Sequence, residues 1–157
     1  WLTAGWGKLT NPAGVWVGAK AGTAVTGFIN GALAKTGGDH PDVSGWYASF
    51  LQHVALPNAV VFSYMVTFGE ILVGSALILG LLTGIAAFFG GFMNTSFLFA
   101  GAVSTNPLLL LLARLIVLAW RVAGHWGLDR WALPMLGVPS APGTLFQPRI
   151  TPAPSRP

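Results

Sequence analysis

Residues 57–82 read PNAVVFSYMVTFGEILVGSALILGLL, and this stretch decides how the rest of the chain is read. A bilayer crossing takes about 20 predominantly apolar residues, and this run exceeds that with Glu70 as its sole charge. Pro57 suits the first turn of a helix, where its missing N–H costs nothing. Outward in both directions the charge stays absent: between Asp42 and Arg114, Glu70 is the only charged residue. The 157-residue chain is 54% hydrophobic and 8% charged, with a mean hydropathy of +0.67. A soluble domain carries about 25% charge, and disordered chains are charge-rich and poor in apolar residues. Disorder is excluded, and the clustering of charge outside the centre argues for a bilayer.

The flanking segments extend the pattern. Thr83-Gly84 reads as a tight turn into a second span over 85–103, and Ser104-Thr105-Asn106-Pro107 resets the chain for a third over 107–124. The opening WLTAGWGK at 1–8 reads as the end of a first span whose beginning is missing from this chain. The expected fold is an all-α integral membrane protein, a four-helix transmembrane bundle with a partly helical extracytoplasmic connector. Within that connector, Gly14, Gly18 and Gly22, and again Gly27 and Gly31, are spaced at four, the small-residue pattern of close helix packing. Residues 44–55 read as an amphipathic helix with Ser44 as N-cap and Tyr47, Phe50, Leu51 and Val54 on one face. The transmembrane domain is expected to cover 1–137. The last twenty residues, 138–157, hold six prolines and are expected to form an extended, mobile tail. Basic residues near helix ends favour a cytoplasmic C-terminus and an extracytoplasmic connector.

The polar residues that remain inside the spans are where function is sought. Ser63, Thr67, Glu70 and Gly74 follow i, i+4, i+7, i+11 and share one helix face. Ala87, Gly91, Asn94, Leu98 and Gly101 make a matching stripe on the next helix, and Arg114, Arg121 and His125 one on the last. An ionised carboxylate alone at mid-bilayer costs several kcal/mol, so Glu70 is expected to be neutralised, with Arg114 or Arg121 as its partner. At about 1.5 Å per residue, Arg121 matches its height when counted from the helix starts, and Arg114 when counted from the ends. A structural ion pair and a site that binds an anion or a quinone carbonyl, with Glu70 handling protons, are both open.

Several chemistries are excluded. The cysteine count of zero removes disulfides, thiolate metal sites and iron–sulfur clusters. Haem needs axial ligands in register within the bundle, and His40, His53 and His125 are not placed for that. Asp39, His40 and Asp42 read as a solvated loop rather than a metal site. The eight basic residues are widely spaced, so the net charge of +4 forms no nucleic-acid footprint. Trp6, Trp16, Trp46, Trp120, Trp126 and Trp131 read as an interfacial aromatic belt. The glycines lack the strand-to-helix context of a phosphate loop.

Three segments, WLTAGWGKLTNP at 1–12, PNAVVFSYMVTFGEILVGSALILGLLTG at 57–84 and AGHWGLDRWALP at 123–134, together resemble the DoxX/DoxD superfamily of small four-helix membrane proteins. The long connector before Pro57 is more similar to the DoxD-type subunit of thiosulfate:quinone oxidoreductases. Gly69-Glu70 followed by Gly74 resembles the family's most recognisable segment, and Gly127-Leu128-Asp129 its second. Gly84 and His125 depart from the pattern, since family members often carry Arg or Lys at the first position and Arg at the second. The resemblance implies a subunit of a prokaryotic plasma membrane that oxidises thiosulfate to tetrathionate and passes the electrons to quinone. A second small, DoxA-like subunit or a homo-oligomer is the implied partner. Glu70, Arg114 and Arg121 are then the catalytic candidates, and Ser63, Thr67 and Asn94 the substrate- or quinone-binding ones. Gly69, Gly74, Gly127 and Asp129 are carried as structural motif residues. A non-catalytic membrane scaffold for redox or stress-response proteins is the alternative function, and a small transporter the third.

Overall fold

The computed structural model describes residues 1–138. Among them the fold is all-α, with eight α-helices and no strand. These are α1 (Leu2–Leu9), α2 (Thr23–Leu33), α3 (Gly45–Phe50, continued by a π-turn over Leu51–Ala55), α4 (Ala59–Leu79), α5 (Thr83–Phe99), α6 (Asn106–Leu118), α7 (Trp120–Ala123) and α8 (Asp129–Met135). One of them, α4, is long and apolar enough to cross a membrane. The proline-rich tail expected beyond Val138 lies outside the described residues.

Helices α4 and α5 end where glycine permits. At the end of α4, Gly80 has φ +61, Gly80 N–H donates to Leu77 O at 3.3 Å and Leu81 N–H to Ala76 O at 2.9 Å. At the end of α5, Gly101 (φ +69) repeats the arrangement, with its own N–H on Leu98 O and Ala102 N–H on Phe97 O. Both are Schellman caps, which satisfy the last carbonyls of a helix inside the fold.

Helix α1 packs on α4, α4 on α5, and α5 on α6. Small residues set the close approaches. A Cβ on Gly5 would meet Ile71 N at 2.8 Å and Thr67 O at 2.9 Å, and one on Gly74 would strike the backbone of Leu2. Gly91 rests on Ala113. The small stripe expected on α5 is buried at Ala87, Gly91 and Asn94. Polarity is distributed inside out: Ser63, Thr67, Glu70 and Asn94 are buried, while Leu72, Ile78, Phe88, Phe92, Leu111 and Leu118 are exposed.

The connector forms a second layer over one end of α4 and α5. Val25, Ile29, Ala32, Val43, Tyr47 and Leu51 make an apolar core with Ala59 and Ala100 at the helix ends beneath. Tyr47 donates to Ser96 O and Lys35 Nζ to Gly101 O, each at 2.8 Å. Burial pushes the Tyr47 phenol pKa above its ordinary value.

Four expectations are corrected. Gly14, Gly18 and Gly22 have positive φ and lie in turns before α2, while Gly27 and Gly31 have nothing near enough for a Cβ to touch. Their spacing reflects backbone freedom in the first set and an open helix face in the second. On the face expected for 44–55, Tyr47 and Leu51 are buried, but within the π-turn Ala55 takes the buried place and Val54 is exposed, while Phe50 lies at the rim against Tyr47 and Phe62. The chain reverses at Gly80–Leu82 rather than at Thr83-Gly84, with Leu82 left-handed at φ 46 and Thr83 already in α5. The continuous helix expected over 107–124 breaks at Ala119. The break lays Trp120 against Gly84, where any Cβ would strike the Trp120 side chain.

Candidate functional site, an ion pair beneath an apolar cleft

The stripe Ser63, Thr67, Glu70, Gly74 faces inward as its spacing requires, and it is covered by α1 and the loop that follows. Because Gly5 and Gly74 bring the two backbones together, the last turn of α1 lies beside the middle of α4. Lys8 Nζ reaches Glu70 Oε2 at 2.5 Å, with 17% of the lysine side chain and 5% of the glutamate exposed. The expected arginine partner is therefore replaced by Lys8. Lys8 Nζ also sits 5.0 Å from the centre of the Trp16 ring, close enough for a cation–π contact. Trp16 is held there by its own carbonyl, which accepts from Ser63 Oγ at 2.5 Å. Thr67 Oγ1 donates to Ser63 O within the helix. Ser63 thus anchors the Trp16 segment beside the pair.

Asn94 enters from α5. Gly90 packs on Val73 and Gly69 on Met93, contacts that set Asn94 at the height of Glu70. Its side chain is 1% exposed, and Nδ2 has no acceptor. Trp1, whose ring rests on Gly90, has an indole N–H in the same condition. Two buried donors without acceptors therefore flank the level of the pair, and such groups are costly to leave unmade.

Above the pair opens a cleft of about 1290 Å³ between α4, α5 and the connector. Its walls are apolar, among them Phe62, Phe68, Val73, Phe89 and Met93, and Lys8 and Glu70 are the charged residues in its lining. Lys8 carries three N–H donors and Glu70 takes one, so an oxygen of a bound molecule can be held by the others. The arrangement can seat a long apolar molecule with an oxygen-bearing head.

Arg114 and Arg121 do not join this site. Arg114 is exposed on the opposite side of α5, beside a hollow of about 370 Å³ lined by Phe88, Gly91, Leu110, Val117 and Leu118. Arg121 is exposed on α7. No family model, curated protein or solved structure matches this chain.

Asp129 and the glycines around it form a second, structural constellation. The buried Asp129 carboxylate accepts from Leu82 N–H at 2.5 Å and Thr83 N–H at 2.9 Å, capping α5 where its first amides are unpaired. In return Asp129 N–H donates to Gly80 O at 2.7 Å and Leu128 N–H to Leu79 O at 3.0 Å. Gly127 and Gly124 admit this contact, since a Cβ on either would strike the Gly80 turn or Asp129 itself. The exchange holds Leu82 in its left-handed conformation.

Sequence reasoning missed Lys8 and Trp16. Lys8 stands four residues before Pro12 and reads as an ordinary base at a helix end. The available signal was Gly5, three residues earlier on the same face.

Proposed function

We propose that the chain is the DoxD-like membrane subunit of a thiosulfate:quinone oxidoreductase-type complex, with the quinone seated in the cleft over Lys8 and Glu70. In this reading α1, α4, α5 and the α6–α7 pair form a four-helix transmembrane bundle in a prokaryotic plasma membrane. The connector lies on the extracytoplasmic side and the C-terminus on the cytoplasmic side. The inside-out distribution of polarity supports residence in lipid, where apolar side chains face outward and polar ones pack between helices.

The observation that carries the catalytic part is the Lys8–Glu70 pair in the lining of an apolar cleft of about 1290 Å³. An isoprenoid tail lies along the aromatic and aliphatic walls. The head carbonyl accepts from Lys8 Nζ, which lines the cleft beside Glu70. Two thiosulfate ions give up two electrons as their sulfur–sulfur bond forms. The quinone takes those electrons with two protons, and Glu70 is placed to pass protons to the reduced oxygen. The arginines, set apart from Glu70, leave the anion's approach to Lys8 or to the second subunit.

Thiosulfate-dependent quinone reduction by membranes holding the protein and its partner subunit tests this reading. Glu70→Gln is expected to lower turnover by about 10²-fold, the usual scale for a lost proton-transfer group. Full turnover in a folded Glu70→Gln protein removes Glu70 from the chemistry. The scaffold reading is favoured by one observation, that the pair is satisfied within the protein and ties α1 to α4. It predicts a less stable Glu70→Gln protein and no quinone reduction in any variant.

A further inference from the structure

Among the described residues Arg114 has no counter-ion, and it stands on an apolar surface. It projects from α6 among Leu108, Leu111, Leu112, Leu115 and Leu118, all exposed. Its neighbour Ala113 packs on Gly91, and the adjacent Gly90 packs on Val73 of α4. Arg114 therefore lies at the height of Val73, four residues, or about 6 Å, from the middle of α4. In the bundle reading, on which this inference rests, that height is inside the hydrocarbon.

Among the described residues no acidic side chain pairs with it. The chain has four acidic residues, Asp39, Asp42, Glu70 and Asp129. Glu70 is paired with Lys8 and Asp129 is spent on the first amides of α5. Asp39 and Asp42 lie in the connector, at the other end of α5, where Asp42 approaches Gly101. A second copy brings the same four residues in the same positions, so self-association does not supply the anion either.

The surroundings describe what does. α6 ends at Leu118, one turn beyond Arg114, and a long basic side chain can reach the headgroup level over that distance while its stem stays in apolar surroundings. The hollow beside it, about 370 Å³ lined by Phe88, Gly91, Leu110, Val117 and Leu118, is apolar. It admits a hydrocarbon chain and is too small for a helix. Arg121 and Arg130 are exposed beyond the same end of α6, where the nearby acid, Asp129, is buried. We propose that the α5–α6 hollow is a binding site for an anionic phospholipid of that leaflet, its acyl chain in the hollow and its phosphate on the Arg114 guanidinium. The guanidinium fork matches two phosphate oxygens, and basic pockets between membrane helices take such headgroups. The site lies on the opposite side of α5 from the Glu70 cleft, so it is a structural lipid site independent of turnover.

The test uses the full chain in vesicles of equal phosphatidylglycerol and phosphatidylcholine, extracted gently, with the retained lipid quantified by mass spectrometry. The wild type should retain phosphatidylglycerol about fivefold over phosphatidylcholine. Arg114→Gln, and Val117→Trp, which fills the hollow and keeps the charge, should both retain the two lipids equally. Preference unchanged in Arg114→Gln overturns the site, as does displacement of the lipid by millimolar inorganic phosphate. A photo-crosslink from position 110 to an acidic polypeptide in native membranes also overturns it in favour of a protein partner. Retention in the membrane after alkaline carbonate, with no lipid preference, rejects the lipid site alone. Release by carbonate rejects the bundle reading and the site together.

Discussion

Replacing Lys8 by Met and Glu70 by Gln, singly and together, isolates the interaction on which the candidate site is built. The charges meet at 2.5 Å with the glutamate side chain 5% exposed and the lysine 17%. Removing one partner of a buried pair costs about 3–5 kcal/mol, because the survivor is left charged without compensation. The two single changes should differ. Lys8→Met strands a carboxylate that has almost no access to water, and about 3–4 kcal/mol is expected. Glu70→Gln leaves an ammonium that is partly exposed and still faces the Trp16 ring at 5.0 Å, so about 2–3 kcal/mol is expected. The double replacement removes both charges and keeps the side-chain volumes, so its cost should fall to about 1 kcal/mol, far below the sum of the singles. Equilibrium unfolding in mixed micelles with increasing SDS, followed by tryptophan fluorescence, measures all four proteins. Single costs that add to the double within about 0.5 kcal/mol would refute the pair and with it the placement of α1 on α4.

Asp129→Ala leaves the buried amide of Thr83 and the partly buried amide of Leu82 without an acceptor. It should cost about 2–4 kcal/mol and, in hydrogen exchange, expose the first turn of α5 before the rest of the helix. Gly5→Ala forces a Cβ to within 3 Å of the α4 backbone and should lower the melting temperature, whereas Gly31→Ala on the open face of α2 should raise stability by about 0.5–1 kcal/mol. Equal effects would mean that α1 is not seated as described. The Tyr47 phenol, raised by burial, binds its proton more tightly when folded. Its contribution is complete below the ordinary tyrosine pKa and is lost as pH climbs through the raised value. Alkaline titration of stability should therefore show a fall that Tyr47→Phe removes.

The residues forecast as an inward stripe on α4 are buried because the information is local. A helical period of 3.6 and a charge-free run place Ser63, Thr67, Glu70 and Gly74 on one face whatever lies opposite. The Asp129 motif was legible as a motif, but its task required the Gly80–Thr83 turn, 46 residues away in sequence from Asp129 to Thr83, to arrive beside it. The glycine spacing before α2 misled because a spacing of four says nothing about φ, and positive φ at Gly14, Gly18 and Gly22 takes those residues out of any helix.

From its amino-acid order alone this protein is assigned its helical class, its apolar centre, the long helix α4 and the single carboxylate that helix carries inward. Each follows from composition and from a periodicity that a helix expresses without help from its neighbours. Which cation answers that carboxylate was decided only in three dimensions. Arg114 and Arg121 had matching heights, but height along an axis does not say which helix lies alongside. Gly5 and Gly74 settle that by letting α1 touch α4 backbone to backbone, and the lysine at the end of α1 arrives first. Arg114 then faces outward, with no acidic side chain paired to it among the described residues.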